Sequence, residues 1–177
     1  MTEPRLNWRP MTPADLPLLL AIADVVHPSY PEDAAVFGER LALFPAGCLV
    51  LEPHRKDGVG GPGAKLIGYI LSHPWTYAAP PALNSPLGAL PTPPTTYYIH
   101  DIALLPEARG TGAANAVVAK LIELAETLRL PNLSLVAVNN SAAFWQRHGF
   151  VLTAIPALDA KLRSYDEAAR FMVRAIA

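Results

Sequence analysis

The chain has 177 residues, of which 51% are hydrophobic and 16% charged, and its formal net charge is -1. That length suits one domain with a real core, and the charge balance excludes a disordered chain and argues against a polyanion-binding surface, so no nucleic-acid partner is expected. The single cysteine, Cys48, has no internal disulfide partner, no run approaches the roughly 20 apolar residues of a membrane span, and the first residues lack the build of a signal peptide; a cytoplasmic protein with no membrane partner is expected.

After an opening strand, Thr12 caps a predicted helix whose first turn holds Pro13 and Asp15. Its apolar side continues through Leu16, Leu19, Leu20 and Ala23, and it ends near His27 and Pro28. A second short helix is predicted over 31–44. Strands follow over 48–52 and 65–73, joined by a polar, glycine-rich hairpin loop, "PHRKDGVGGPGA". Segment 74–96 carries seven prolines and can hold neither a long helix nor a central strand. A loop of that length inside a domain is either an active-site cover or a plain insertion. Beyond it come a strand over 97–105, a helix ending before Pro131, a strand over 133–138, a short helix capped by Asn140 or Ser141, a strand around 150–154, and a terminal strand at "RFMVRAI".

Antiparallel neighbours early and a β-α-β crossover late imply an α/β (α+β) fold, with a mixed, mostly antiparallel sheet of about six to seven strands flanked by helices. Residues 1–177 are expected to form one domain, with 74–96 as a loop within it.

The stretch "LPEARGTGAANAVV" places Arg109, Gly110 and Gly112 between a strand's end and a helix start. The first amides of a helix lack internal partners and carry the positive end of its dipole, so they suit a phosphate. Glycines let the backbone approach such a group, and an arginine adds a forked cationic donor. The plainer reading is a softened turn with a solvated arginine. In favour of a site, the helix that follows puts Val117, Val118, Leu121, Ile122, Ala125 and Leu128 on one side, so the turn is anchored to a rigid element. A competing phosphate motif, "GVGGPG" at 58–63, matches G-x-G-x-x-G but is followed by a strand, whereas that motif needs a strand before it and a helix after it.

Arg109, Gly112 and Ala114 also match the pattern R/Q-x-x-G-x-G/A, "IALLPEA" supplies a strand-then-proline lead-in, and "NNSAAFWQRHGF" fits a later N-x-x-A-x-x-(Y/W)-x-x-x-G-F helix. On these residues, roughly 97–175 resembles the GNAT superfamily of N-acetyltransferases; the first half agrees in element order. The resemblance implies acetyl-CoA as cosubstrate and a V-shaped opening between the fourth and fifth strands. The pantetheine arm would lie beside the backbone of Ile102, Ala103 and Leu104. The pyrophosphate would rest on the amides of Gly110, Thr111, Gly112, Ala113 and Ala114, beside Arg109. Asn140 would hydrogen-bond the cosubstrate, and Ala143 and Phe144 would line its far wall. No metal is implied.

The implied chemistry moves an acetyl group from a thioester to an amine. With an ordinary alkylammonium pKa near 10.4, on the order of one amine in a thousand is neutral at pH 7, so a base or relay is useful. His100 has a suitable intrinsic pKa and resembles in position the histidine assigned to proton removal in aralkylamine N-acetyltransferases. Tyr98 shares its strand face by period-two alternation and is read as a relay or pocket wall, whereas Asp101 points the other way, towards structural hydrogen bonds. Trp145 stands where many family members carry a tyrosine that protonates the leaving thiolate, and an indole is no useful acid. A covalent route through Cys48 is disfavoured, because no histidine adjoins it in sequence. Acceptor-side candidates are His27, Tyr30, His73, Trp75, Tyr77 and Trp145, whose aromatic character suggests a small-molecule amine with an apolar body. The rival readings are a non-catalytic acyl-CoA-binding module and an acetyltransferase for protein N-termini or lysines; a homodimer is left open.

Overall fold

The computed structural model describes residues 5–54 and 64–177. Its elements are β1 (Leu6–Pro10), α1 (Leu16–Val26), α2 (Ala34–Leu43), β2 (Cys48–Pro53), β3 (Gly68–Trp75), β4 (Thr96–Leu104), α3 (Ala113–Thr127), β5 (Asn132–Ala137), α4 (Ala142–Arg147), β6 (Val151–Leu152), α5 (Asp159–Tyr165) and β7 (Arg170–Ala175). The strands form one mixed sheet in the order β1-β2-β3-β4-β5-β7-β6. Four pairings, β1 with β2, β2 with β3, β5 with β7 and β6 with β7, are antiparallel. β4 runs parallel to β5, in the register Tyr97↔Leu133 and Tyr98↔Ser134, as a crossover through α3 requires. This is the mixed, mostly antiparallel fold expected from the element order. By its contacts the chain divides into two compact units, Met1–Ser72 with Asp101–Val117 and His73–His100 with Val118–Ala177.

In the first unit, period-two alternation along β2 sends neighbouring residues to different clusters. Cys48 and Val50 pack with Leu19, Ile22, Phe37 and Tyr69, while Leu51 packs with Ile67, Ala108 and Ala113, flanked by half-buried Leu6 and Trp8. Each fully buried Leu, Ile or Phe stabilises by about 1.5–3 kcal/mol. Gly68 is a close-approach position: a Cβ there would stand 2.7 Å from Leu104 Cδ2 and 2.9 Å from the Ala103 carbonyl oxygen. Arg9 donates to both oxygens of Asp15 at 2.8 Å and to Glu52 at 2.9 Å, tying β1 to β2 and to the start of α1. The Asp15 carboxylate also accepts from the Thr12 amide and hydroxyl, so the helix opens as expected, through a 3-10 turn at Pro13–Asp15. Burial works against the Asp15 charge, but Arg9 and Thr12 outweigh it and hold its pKa below the usual range.

In the second unit, β5 and β7 pair over six residues, from Asn132↔Ala175 to Ala137↔Arg170. Phe150, Phe171 and Met172 are buried there, and Trp145 lies with its ring centre 5.3 Å from Phe150. The loop after β3 is tied down within this unit: Tyr77 meets Phe171 edge-on at 5.9 Å, and the Tyr165 hydroxyl donates to the Pro81 carbonyl.

The elements depart from expectation in five places. β3 extends to Trp75 and includes Pro74, which lies beyond the last register pair with β2, Cys48↔Leu71, where a missing amide costs no bond to that strand. α5 falls where the sequence pattern shows only a connection to β7; it is seven residues long and buries none of them, so it carries no helical stripe. β6 shrinks to Val151–Leu152 because Phe150 turns into the core. Leu128 is 39% exposed, since α3 ends at Thr127 and Arg129 turns the chain at φ 57°, burying Leu130 instead. Ser141 takes the N-cap position of α4 but makes no side-chain capping bond. The "GVGGPG" motif and most of the hairpin loop lie outside the described residues.

Candidate active site

The strand-to-helix turn belongs to the first unit. β4 ends at Leu104, a 3-10 turn follows at Pro106–Ala108, and α3 starts at Ala113. Between them Gly110 and Gly112 adopt φ of 72° and 83°, in the left-handed region that glycine enters without strain. A Cβ built on either would meet nothing within 4 Å. The Thr111 hydroxyl donates to the Ala108 carbonyl at 2.7 Å and stiffens the turn from within. The exposed Arg109 is drawn back over the strand end, its Nε donating to the Leu104 carbonyl at 3.3 Å. Glu107 pairs with Lys65 at 2.9 Å, and that hydrogen bond lowers the carboxyl pKa. A cavity of about 460 Å³ adjoins the turn, with Leu6, Trp8, Leu51, Thr111 and Gly112 among its walls. The Trp8 indole donates to the Ala113 carbonyl at 2.9 Å and fixes that wall to the helix start.

The end of β4 has two unlike edges. Leu105 donates its amide to the Ile67 carbonyl, so the backbone groups at 101, 103 and 105 face β3, and those of Ile102 and Leu104 face the opposite edge. Of the three residues expected to flank a pantetheine arm, Ile102 and Leu104 present polar groups to that edge and Ala103 does not. His27, at the end of α1, reaches the same edge: its Nε2 lies 2.9 Å from the Ile102 carbonyl oxygen and 2.9 Å from Asp101 Oδ1. The Tyr69 hydroxyl donates to the other Asp101 oxygen. Burial opposes charge on His27, yet the bond to Asp101, that residue's charge and the Ile102 carbonyl together raise its pKa above the ordinary value. Tyr69, buried and beside Asp101, has its pKa pushed well up.

In the second unit, four of the predicted residues form one aromatic cluster. The fully buried His73 ring lies 5.4 Å from Trp75, 5.7 Å from Tyr98 and 6.5 Å from His100 between ring centres. Its Nδ1 stands 2.9 Å from the Pro74 carbonyl, which only accepts, so Nδ1 carries the proton. His100 is half-buried, whereas Tyr98 is buried. Tyr77 sits apart from these four, on Phe171. Trp145 is 5% exposed and wedged against Phe144 at 4.9 Å. Asn140 is exposed at φ 55°, with exposed Ala143 and half-buried Phe144 following on α4. Tyr30, half-buried, belongs to the first unit, its amide bonded to the His27 carbonyl.

Cys48 is fully buried, its thiol 3.5 Å from the Phe44 carbonyl. Burial pushes its pKa up to about 12 against smaller opposing effects of the Ser72 backbone and Arg40. Such a thiol is no nucleophile at neutral pH. Sequence reasoning does not find Trp8, whose partner lies 105 residues away, or the bond between His27 and Asp101; the outward alternation of Asp101 is the only signal of the latter.

Residues 18–150 match the profile of the Acetyltransferase (GNAT) family, and the chain belongs to that family. No curated protein sequence matches it significantly. Among solved structures it is similar to the NatC complex bound to Gag peptide and CoA, with 18% identity, 98% of this chain and 99% of that chain covered, and a TM-score of 0.71. It is also similar to N-acetylglutamate synthase from Neisseria gonorrhoeae complexed with coenzyme A and N-acetyl-glutamate, at 16% identity and a TM-score of 0.68, covering 99% of this chain and 36% of that one. A third likeness is to the GphF GNAT-like decarboxylase in complex with isobutyryl-CoA, at 17% identity and a TM-score of 0.71, covering 96% and 98%. At these identities the likenesses establish the fold. No helix among the described residues is long and apolar enough to cross a membrane.

Proposed function

We propose that this chain is an acyl-CoA-dependent N-acetyltransferase that moves an acetyl group from acetyl-CoA to the primary amine of a small molecule by direct attack, residues 1–177 acting as one domain. The observation that carries the reading is the turn after β4, where two glycines at positive φ stand in open space before a helix start. Main-chain amides at the positive end of a 15-residue helix suit a pyrophosphate, with the Ala113 amide giving up only a long 3.3 Å bond to the Thr111 hydroxyl, so the residues fit the cosubstrate that family membership implies. When bound, acetyl-CoA supplies a thioester whose carbonyl carbon accepts an amine. The amides of Gly110, Thr111, Gly112, Ala113 and Ala114 hold the pyrophosphate, and Arg109 adds a cation. The edge carrying Ile102 and Leu104 receives the pantetheine arm. Asn140, Ala143 and Phe144 are the further residues that the family resemblance assigns to the cosubstrate.

His100 takes the amine proton, and Tyr98 passes it on or holds the water that does. The resemblance that the sequence of this strand bears to aralkylamine N-acetyltransferases is one support for the assignment, and the histidine and aromatic cluster around His73 is another. The same cluster gives an apolar amine a surface to rest on. A second reading, acetylation of protein N-termini or lysines, is favoured by the likeness to a NatC complex bound to Gag peptide.

The deciding experiment offers acetyl-CoA with a panel of small amines and a panel of peptides, and follows free thiol. Thiol release with amines supports the proposal, and release with peptides alone replaces it by the second reading. Binding of CoA without release by either panel leaves a non-catalytic acyl-CoA-binding module.

A further inference from the structure

A helix as short as α5 is marginal in water by itself, and in a folded protein such a helix is held mainly by the face it buries. α5 is seven residues long and buries none of them. Its last residue is tied down, the Tyr165 hydroxyl donating to the Pro81 carbonyl. Beside the helix, inside the second unit, lies a cavity of about 320 Å³ with Ile155, Leu162 and Phe171 on its apolar wall. We propose that this cavity is a binding site for an apolar amino acid, held as a zwitterion with its side chain on that wall and its two charged ends on Asp159 and Arg163 of α5.

Size, charge and the state of the helix support it. The volume is at the lower end of ordinary small-ligand sites, about 300–1,000 Å³, which suits a single amino acid. The cavity is lined by two carboxylates, Asp159 and Glu167, and two guanidinium groups, Arg163 and Arg170. A ligand of one sign would meet repulsion as well as attraction there, whereas a zwitterion matches both. Asp159 and Arg163 stand four residues apart on one side of α5, a spacing at which such a pair commonly closes on itself. Among the described residues, however, neither side chain makes a hydrogen bond or ion pair, so both groups are open to a ligand. Arg170 is set in advance: its Nη1 donates to the Glu167 carbonyl at 3.1 Å and to the Ala169 carbonyl at 2.9 Å. Ile155 and Leu162 are only half-buried, and an apolar side chain laid on them gives α5 the buried face it lacks. None of the lining residues belongs to the aromatic cluster around His73 or is assigned to acetyl-CoA, so the inference stands apart from the acetyltransferase reading.

The test is calorimetry on the full chain with L-phenylalanine, with its amide, which lacks the carboxylate, and with 3-phenylpropanoate, which lacks the ammonium. Phenylalanine should bind, and each of the other two should bind roughly tenfold more weakly, since each loses a charge-assisted bond. Arg163→Gln should weaken phenylalanine binding roughly tenfold and leave the amide unaffected, because it removes a bond the amide cannot make. Asp159→Asn should act likewise on phenylalanine and spare 3-phenylpropanoate. Both substitutions fall at exposed positions, and urea unfolding follows the fold of each variant. His100→Ala should bind phenylalanine as the unaltered protein does, and hydrogen exchange over 159–165 should slow when the ligand is bound. No binding of phenylalanine at millimolar concentration, equal affinity for all three compounds, a loss in His100→Ala in place of Arg163→Gln, or unchanged exchange in α5 would each overturn the inference. All four outcomes leave the acetyltransferase reading standing, because that reading is tested by thiol release.

Discussion

The indole N–H of Trp8 donates to the carbonyl of Ala113 at 2.9 Å, so the first strand of the chain holds the first residue of the helix that follows the glycine turn. Replacing Trp8 by Phe keeps most of the ring and removes the donor. The expected cost is about 0.5–1.5 kcal/mol of stability, the usual net worth of one such bond. CoA affinity should also fall, because the turn loses one of its fixed points. Denaturant unfolding and calorimetry check the two effects separately, and an unchanged CoA affinity would show that the turn does not depend on β1.

Gly112 has φ of 83° and open space where a Cβ would stand. Gly112→Val therefore strains the backbone locally without striking a neighbour, and the fold should survive. CoA binding should weaken at least about tenfold, or 1.4 kcal/mol, because the turn must change shape and its approach is blocked. Normal CoA affinity in a folded variant would place the phosphate site elsewhere.

His100 is assigned the amine proton, and the assignment has a pH signature. His100→Ala should lower kcat/KM roughly 10²- to 10⁴-fold near pH 7, with CoA affinity intact. The deficit should shrink as pH rises towards the amine pKa, since more acceptor then arrives neutral. Parallel pH–rate profiles for the two proteins would remove His100 from the mechanism.

His27 links folding to pH as well. Its folded pKa lies above the ordinary value, so the stability it contributes is fully present below about pH 6.5 and is lost as pH rises through the folded value. The protein should accordingly lose stability across neutral pH, and His27→Gln should flatten that slope. Urea midpoints of both proteins at several pH values measure it; equal slopes would mean that His27 is not more basic when folded.

Much of the site is legible in the sequence because it is local. The strand, proline, glycine pair and amphipathic helix from Tyr97 to Leu128 lie within 32 consecutive residues, and hydrophobic period with glycine placement is enough to mark a turn suited to phosphate. Period two likewise puts Tyr98 and His100 on one face and Asp101 on the other, and the contacts of His73 and His27 agree with it. α5 escapes notice because seven residues with no buried face carry no periodic signal.

By itself, then, the sequence determined the order of the elements other than α5, the mixed sheet and the glycine turn, all of which follow from periodicity and from backbone freedom at single positions. Only the tertiary structure decided which side chains meet. Trp8 and Ala113 are brought together by packing across 105 residues. His27, an acceptor-side candidate by its aromatic character, is brought to Asp101 and Ile102, because α1 ends beside the strand edge that carries the Ile102 carbonyl. Burial, which no local pattern records, made Cys48 inert, and the Asp101 carboxylate, against the penalty of burial, left His27 more basic. Long-range pairing and desolvation are properties of the folded chain as a whole, which is why they appear only once it is folded.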